Sequence, residues 1–278
     1  MPHLMMTLTV IGSGSSGNCY LLQNESEALV IEAGLPFDKT VKEALGWNVG
    51  KIAALVVSHR HDDHAKFAWQ YAEAGFTVLA SPDTIQNSHL AGIRCVREIQ
   101  GGTWYGVGGF KLLPFPLRHF NTDGTPCPTL GFLIHHRDCG RVCFFTDCES
   151  FTREQVTDDG LRFIPYDFPD VAHWLMECNY DDAIINRSKR IPDFVKDRIK
   201  HSHMSLRSTI KVARRIDLSQ TREILLIHIS DGNADDRKFV RAMRAATGKR
   251  CYAAHPGLRI DFTVPTINPE EHKANENS

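Results

Sequence analysis

The sequence has no long apolar run, no Cys-x-x-Cys pair and almost no net charge, and each absence narrows the classes of protein that it can encode. No apolar stretch approaches the length that spans a membrane, and Met1 to Met6 include no apolar signal core. We therefore expect a soluble cytoplasmic protein without a membrane partner. The net charge of −1 gives no argument for or against nucleic-acid binding, because only a local basic patch could provide one.

The cysteines are scattered, and several lie in apolar runs, as Cys143 does within residues 142–145. This placement is typical of reduced, buried thiols rather than of a disulfide framework. A metal or redox role remains the alternative for Cys148 and Cys178, which neighbour candidate site residues. The full set is Cys19, Cys95, Cys127, Cys139, Cys143, Cys148, Cys178 and Cys251.

The length of 278 residues allows one large domain or two smaller ones, with 42% hydrophobic and 23% charged residues as in ordinary globular proteins. Strand and helix patterns alternate along both halves, and no linker rich in Pro, Gly or Ser separates them. We therefore predict one α/β domain over residues 1–267 and a polar, disordered tail over residues 268–278. Predicted helices cover residues 38–46, 64–74, 82–91 and 235–247, and residues 258–264 alternate like an edge strand.

The most informative stretch is Ser58-His59-Arg60-His61-Asp62-Asp63-His64, which follows the apolar run of residues 52–57. That run is predicted as a buried strand, so the stretch forms the loop at its end. Imidazole and carboxylate groups bind zinc and similar divalent ions. In an extended loop His59 and His61 point the same way and can bind one ion, while Asp63 and His64 can turn toward a second. The alternative, a polar loop whose histidines bind nothing, is disfavoured by this spacing.

Other predicted strands also end in a residue that can bind a metal ion. Alone, a histidine at a strand end is more often structural, and an aspartate there can start a turn. Together with the loop at residues 59–64, a ligand role becomes the favoured interpretation. The residues at these strand ends are Glu32, His119, Asp147, Glu177 and His228.

The loop resembles the signature loop of the metallo-β-lactamase superfamily, which implies a four-layer αβ/βα sandwich that holds metal ions at the edge of two sheets. The resemblance implies one ion bound by His59, His61 and His119 and a second bound by Asp63, His64 and His228, with Asp147 between them. The cofactor would be two divalent ions per chain, and zinc and manganese both fit this ligand set. The histidine at position 61 argues against a diiron redox branch, which would have Glu there. His135 and His136 match no ligand position, and we predict that they lie on the surface.

Two further sequence segments resemble the YycJ-like (WalJ-like) branch of that superfamily. The first is Gly14-Ser15-Ser16-Gly17-Asn18-Cys19, and the second is the stretch from His228 to Ala234, where the branch has Asn in place of Ala234. The Gly/Ser loop can bind a phosphate through its amides, although a tight turn between strands explains it equally well. We predict phosphate contacts for Ser15, Ser16, Asn18 and Ser205, of which Ser205 is also a plausible helix N-cap. Glu32, where the family usually has Asp, is expected behind the metal loop, and Ser230 and Asn233 are expected to support His228.

A carboxylate and a histidine in the second half suggest the reaction. Cleavage of a phosphodiester leaves an alkoxide that needs a proton. Phosphodiesterase branches such as ribonuclease Z pair a Glu with a His for this purpose, and by resemblance Glu177 and His203 occupy these positions. His201 is the competing candidate for the histidine. Asp63, Glu177 and His203 are thus the predicted catalytic residues.

The leading prediction is a metal-dependent nuclease, and the resemblance implies 5′-3′ exonuclease action in DNA processing or repair. The basic stretch of residues 187–215 supports a polyanionic partner, with DNA favoured over RNA, although a solvated helical face explains it equally well. The alternative enzyme is a phosphodiesterase of small molecules such as cyclic ribose phosphates. The non-enzyme alternative is a nucleic-acid-binding scaffold with a decayed site, which the complete ligand set disfavours. The sequence gives no indication of oligomeric state.

Overall fold

The computed structural model describes residues 5–265, and the predicted tail at residues 268–278 lies outside them. Two large sheets and a separate hairpin account for the strands. These are β1 (Thr7–Gly12), β2 (Cys19–Gln23), β3 (Ala28–Ile31), β4 (Ile52–Val56), β5 (Val78–Ala80), β6 (Val96–Glu98), β7 (Tyr105–Val107), β8 (Phe110–Leu117), β9 (Thr129–His136), β10 (Gly140–Phe145), β11 (Thr152–Thr157), β12 (Gly160–Pro165), β13 (Val171–Glu177), β14 (Glu223–Ile227), β15 (Arg250–Ala253) and β16 (Arg259–Asp261).

The two large sheets have similar construction. The first has the order β16-β1-β2-β3-β4-β5-β6, antiparallel up to β3 and parallel from β3 onward. The second has the order β15-β14-β13-β10-β9-β8-β7, parallel from β15 to β10 and antiparallel beyond. Strand β8 runs in the same direction as β10, because both are antiparallel to β9. As a result β8, β10, β13 and β14 all end at the same edge.

Helices cover the outer faces of both sheets. A π-helical segment (Phe37–Val41) and a 3₁₀ turn (Val49–Lys51) lie near the first helix. The α-helices are α1 (Lys42–Ala44), α2 (Asp62–Ala65), α3 (Ala68–Glu73), α4 (Pro82–Asn87), α5 (Asp182–Arg187), α6 (Asp193–Ser202), α7 (Leu206–Ala213) and α8 (Asp236–Thr247).

The hydrophobic core consists of three layers, which follow from the alternation of side chains along each strand. Leu29 and Ile31 of β3 face the space between the sheets, where they join Phe132 and Phe144 from the second sheet. Val30 faces outward into the layer that contains α3. A third cluster packs α7 and α8 against the outer face of the second sheet. The order helix, sheet, sheet, helix confirms the predicted four-layer αβ/βα sandwich.

Two parts of the fold differ from the sequence predictions. The hairpin β11–β12 was not predicted, and Val156 on it is 83% exposed, so the apolar alternation that identifies a half-buried strand is weak there. The prediction that His135 and His136 lie on the surface is wrong for His136, which is the last residue of β9 and is only 1% exposed. Its Nε2 lies 3.0 Å from Glu27 Oε1, which explains how the ring is accommodated.

The predicted helices at residues 38–46, 64–74 and 82–91 are shorter or interrupted in the structure, whereas α8 and the helix after Ser205 occur where the pattern placed them. Across residues 5–265, no helix combines the length and the apolar character needed to cross a bilayer.

Candidate metal centre

The candidate site lies where strands of both sheets end. Glu32 directly follows β3, His228 directly follows β14, and Asp147 comes two residues after β10. All three adopt left-handed backbone conformations, with φ of 68°, 53° and 47°. Such conformations are uncommon for residues other than glycine and cost on the order of 1–3 kcal/mol each, so the surrounding structure must hold them. The chain therefore turns sharply at the point where it delivers each side chain.

The first group of donors comprises three imidazoles and one carboxylate. His61 Nδ1 lies 3.1 Å from His59 Nε2 and 3.2 Å from His119 Nε2. Asp147 Oδ2 lies 3.7 Å from both His59 Nε2 and His119 Nε2. These four side chains offer donor atoms within 4.8 Å of one another. They are the predicted ligands of the first ion and the predicted bridging carboxylate.

The second group shares Asp147 with the first. Asp63 Oδ2 lies 3.3 Å from His64 Nε2 and 3.4 Å from His228 Nε2, and Asp147 Oδ1 lies 3.3 Å from His64 Nε2. Asp147 Oδ1 also lies 2.5 Å from His228 Nδ1. The two carboxylate oxygens of Asp147 thus face different groups, which is the geometry that a bridging carboxylate needs.

The outward nitrogens of the first three imidazoles all have partners. His119 Nδ1 lies 3.1 Å from the Ser202 carbonyl oxygen, which can only accept, and His61 Nε2 lies 3.1 Å from Asn121 Oδ1. His59 Nδ1 lies 2.9 Å from Ser58 Oγ. When the outward nitrogen carries the proton, the inward one presents a lone pair. In those tautomers the inward lone pairs lie about 3 Å apart and would repel one another without a cation between them, so this group fits a divalent ion.

Burial and neighbouring charges support the same conclusion. Burial lowers the pKa of His119 to about 3 and that of His59 well below its ordinary value, which keeps both imidazoles neutral. Burial opposes ionisation of Asp147, but the imidazoles of His228 and His64 hold its pKa well below the usual range. Neutral imidazoles and ionised carboxylates are the protonation states that bind metal, and His59 and His119 of the first group are in this state. In the second group burial opposes the charged imidazoles, but Asp147 raises the pKa of His228 to about 10 and that of His64 well above its ordinary value. A metal ion bound by the second group would therefore displace protons from these two rings.

Glu32 lies behind the loop of residues 58–64, and its effect on the metal ligands stays a prediction. Its carboxylate is fully buried, with Oε2 3.4 Å from His64 Nδ1, and it accepts a hydrogen bond from the Ser58 amide at 3.2 Å. Burial raises the pKa of Glu32, and the interactions with His64 oppose that rise. Glu32 therefore holds both the first and the last residue of the loop from the side opposite the donors.

The glycine- and serine-rich loop after β1 supports the site from another direction. Asn18 is buried, and its backbone amide donates to the Asp63 carbonyl at 2.7 Å. Its side-chain oxygen accepts from the Gly14 amide, and its side-chain nitrogen donates to the Gly14 carbonyl. Ser13 Oγ accepts a hydrogen bond from the His228 amide at 2.9 Å. The Asn18 side chain also reaches the donor set, because its Nδ2 lies 3.1 Å from His64 Nε2 and 3.5 Å from Asp63 Oδ2. Ser13 is a positioning residue that the sequence did not single out.

Asn179 and the residues that follow His228 form hydrogen bonds around the end of β14. Asn179 donates to the His228 carbonyl at 2.8 Å and accepts from the Ser230 amide at 2.9 Å. Ser230 Oγ accepts from Asn233 Nδ2 at 3.2 Å. Ser230 and Asn233 thus contact each other, and their role in supporting His228 stays a prediction. Asn179 was not predicted because its role depends on a contact across the sheet.

Glu177 and His203 form a direct pair. His203 Nδ1 lies 2.6 Å from Glu177 Oε1, and Glu177 Oε2 accepts from the Cys148 amide at 2.9 Å. Burial raises the pKa of Glu177, and the nearby His203 counteracts that effect. His201, the competing candidate, is 71% exposed and lies 3.5 Å from Glu149. The structure therefore brings His203, and not His201, to Glu177.

An open cavity of about 300 Å³ gives access to these groups. Its wall includes Asp63, Asp147, His203 and His228 from the predicted set, together with Ser15 from the glycine-rich loop and Arg198 from α6. Ser16 is exposed beside the loop, whereas Ser205 is buried and caps α7 by accepting from the Ser208 amide. Phosphate contacts of Ser15, Ser16, Asn18 and Ser205 stay predictions, with Ser15 the one placed on the cavity wall.

Comparisons with known proteins agree with this architecture. The structure is similar to the metallo-β-lactamase fold protein YhfI from Bacillus subtilis, with TM-score 0.65, 16% identity and coverage of 93% of this chain and 99% of that one. It is also similar to yeast PDE1 (TM-score 0.63, 12% identity, coverage 93% and 99%) and to the short form of human tRNase Z (TM-score 0.55, 16% identity, coverage 93% and 100%). At these identities the likeness shows the fold. A search of curated protein sequences gave no significant match.

The sequence itself matches the model of the metallo-beta-lactamase superfamily over residues 12–218. The matched region begins at the glycine-rich loop and includes all predicted donors except His228. On this match and on the four-layer fold, the chain belongs to the metallo-β-lactamase superfamily.

Proposed function

We propose that this protein is a dinuclear metal-dependent phosphodiester hydrolase and that its substrate is a nucleic acid. The observation that carries the proposal is the Glu177–His203 pair, with 2.6 Å between Nδ1 and Oε1, in which His203 lies on the wall of the cavity that the metal donors share and Glu177 is buried behind it. Hydrolysis of a phosphodiester needs a proton donor for the leaving oxygen in addition to metal ions. The pair supplies that donor within the same cavity.

The chemistry of the pair follows from its hydrogen bonds. Nδ1 of His203 faces Glu177, so Nε2 is the atom left for a substrate. Glu177 is fully buried and holds the imidazole in one orientation, while its negative charge stabilises the protonated ring. As water attacks phosphorus and the bond from phosphorus to the leaving oxygen breaks, Nε2 of His203 gives its proton to that oxygen.

The metal donors next to His203 would bind the phosphate, since the His203 ring lies 5.2 Å from that of His228 and 5.8 Å from that of His119, between ring centroids. Two divalent ions held by the His and Asp donors would act as Lewis acids on the phosphate oxygens. Asp63, whose side chain is 22% exposed, is the carboxylate of this group that solvent reaches, and we assign it the orientation of the attacking water. In this proposal Asp63 and His203 act on opposite sides of the bond that is cleaved.

The substrate assignment rests on charge and on resemblance. The basic stretch of residues 187–215 includes α6, which contributes Arg198 to the cavity wall. One similar structure is a tRNase by name. We propose DNA as the preferred polymer, with 5′-3′ exonuclease action in DNA processing or repair. A cavity of about 300 Å³ is at the lower end of ligand pockets, which favours small cyclic or mononucleotide phosphodiesters as the second candidate.

The proposal is tested by supplying end-labelled single- and double-stranded DNA and RNA, and bis(p-nitrophenyl) phosphate, to the wild type and to His61→Ala with zinc or manganese. We expect the wild type alone to cleave a nucleic acid, and the product ladder then gives the polymer and the direction. Cleavage of the small diester without any polymer would replace the nuclease by the second candidate. Inactivity of the wild type on every phosphodiester would overturn the proposal.

A further inference from the structure

Helix α6 extends outward from the candidate metal centre. Its C-terminal end contributes Arg198, Ile199 and Ser202 to the cavity wall, and His203 follows immediately. Residues four apart lie on the same side of a helix, separated by about 6 Å along its axis. Phe194, Arg198 and Ser202 therefore form one row that runs from the outer end of the helix to the cavity.

The residue in the middle of this row, Arg198, has a positive charge that no carboxylate of residues 5–265 pairs with. Arg198 is exposed, and within residues 5–265 its guanidinium forms no hydrogen bond or ion pair. Lys196 differs, because its ammonium pairs with Asp193 at 3.0 Å on another side of the helix. A free guanidinium at the rim of a phosphate-binding cavity can form two parallel hydrogen bonds to a further phosphate.

The outer end of the row carries an exposed aromatic ring. Phe194 is 75% exposed, the highest value among aromatic residues in the described part of the chain. Just before the helix, Arg187, Lys189 and Arg190 are exposed and, within residues 5–265, form no ion pair. A single exposed apolar residue needs no explanation by itself, but here the ring lies on the same side of the helix as the Arg198 guanidinium and closely follows exposed basic residues in the sequence. Basic groups interleaved with an aromatic surface are the arrangement that binds single-stranded nucleic acid.

We infer that the Phe194–Arg198 row binds the unpaired nucleotides next to the bond that is cleaved. Arg198 contacts the phosphate adjacent to the scissile one, and Phe194 stacks on a base farther out. The ring needs a free base face, so the ligand is a single strand of DNA or RNA rather than a duplex. This inference rests on the proposed function and specifies the form of its substrate.

Binding is measured by fluorescence anisotropy, with the metal-loaded full chain and labelled oligonucleotides whose phosphorothioate linkages resist cleavage. The set comprises single-stranded DNA, single-stranded RNA and a DNA duplex. The variants are Phe194→Ala and Arg198→Ala, with Lys196→Ala as the charge control and the hairpin variant Phe163→Ala as the aromatic control. Circular dichroism of each variant checks that the fold is intact.

We expect Phe194→Ala to weaken single-strand binding about five- to a hundredfold without changing its salt dependence, as the loss of one stacked base does. Arg198→Ala should reduce the slope of log K against log salt by about 0.7, as the loss of one phosphate contact does. Both controls should bind like the wild type, and Phe194→Ala should leave duplex binding unchanged. Comparison of the DNA and RNA arms then identifies the polymer.

The inference is overturned if both row variants bind single strands as the wild type does, or if Phe194→Ala weakens duplex binding equally. A wild type that binds no polymer but hydrolyses small phosphodiesters would also overturn it, while the hydrolase proposal survives. In the reverse case, the wild type hydrolyses no phosphodiester, but both variants lose single-strand binding. That result would support the Phe194–Arg198 row and refute the proposed reaction.

Discussion

The Nδ1 atom of His119 lies 3.1 Å from the backbone carbonyl oxygen of Ser202. This contact ties a candidate ligand at the end of β8 to the last residue of α6. Because a carbonyl oxygen only accepts, the proton of a neutral His119 stays on Nδ1 and the lone pair of Nε2 points at the other donors. The main chain of α6 thus helps to orient the metal centre, although no side chain of that helix belongs to the donor set.

The first prediction concerns this tautomer. We expect nitrogen NMR of the histidine side chains to show a protonated Nδ1 and an unprotonated Nε2 for His119, and an effect of added zinc on the Nε2 signal. Assignment is made by comparison with His119→Gln, and the exposed ring of His201 serves as a reference that zinc should leave unchanged. A protonated Nε2 in His119 would contradict both the hydrogen bond and the ligand role.

A second prediction separates the two candidate histidines. Glu177→Gln and His203→Ala should each lower kcat for phosphodiester hydrolysis about 10²- to 10⁴-fold with little change in KM, since they remove proton transfer. His201→Ala should stay within about twofold of the wild type, because its side chain is 71% exposed and turned toward Glu149.

Metal content, measured by elemental analysis, is the control for this series. It should remain at the wild-type value in Glu177→Gln, because the amide is isosteric and the residue lies outside the predicted ligand set. A loss of activity in His201→Ala with full activity in His203→Ala would transfer the role to His201.

The third prediction tests His136 as a structural residue. Its ring packs on Phe110 with 4.6 Å between ring centroids, and its Nε2 lies 3.0 Å from Glu27. His136→Ala removes both interactions, so we expect the free energy of unfolding to fall by about 1–3 kcal/mol in urea titrations. The neighbouring His135→Ala should change it by no more than about 0.5 kcal/mol. Equal effects of the two substitutions would refute the structural role of His136.

Much of the candidate metal centre was predictable because each donor has a local pattern in the sequence. An apolar run ends and a histidine or carboxylate follows, as for Val56 and the loop that carries His59, and parallel strands bring such ends to one edge. The four-layer sandwich followed from resemblance, and the structure confirms it.

The remaining features depend on partners distant in sequence. His136 looks like a polar residue at a strand end. Its burial is stabilised by Glu27, which the other sheet's β2–β3 turn brings to Nε2, and by the Asp138 amide, which donates to Nδ1 at 3.1 Å. Asn121 and Ser13 likewise acquire their roles from contacts with His61 and with the His228 amide. The left-handed turns at Glu32, Asp147 and His228 could not be predicted, because such conformations are uncommon for residues other than glycine and depend here on the surrounding structure.

The last prediction concerns Glu32, for which the resemblance described above implies Asp. Its Oε2 lies 3.4 Å from His64 Nδ1, so the carboxylate strengthens the imidazole as a donor through Nε2. Glu32→Gln removes the charge but keeps the shape, and we expect metal affinity to fall about 10- to 100-fold in competition with a fluorescent chelator. Glu25→Gln, at an exposed position outside the site, should bind metal like the wild type.

The variant Glu32→Asp distinguishes the effect of the negative charge on metal affinity from the effect of side-chain length. The shorter side chain keeps the negative charge and tolerates the left-handed backbone at φ 68°, so it should retain more affinity than Glu32→Gln if charge dominates. The order would reverse if the hydrogen bond from the Ser58 amide, which Gln can still accept, mattered more than the interaction with His64. Wild-type affinity in both variants would mean that Glu32 does not tune the metal loop, despite its complete burial behind His64.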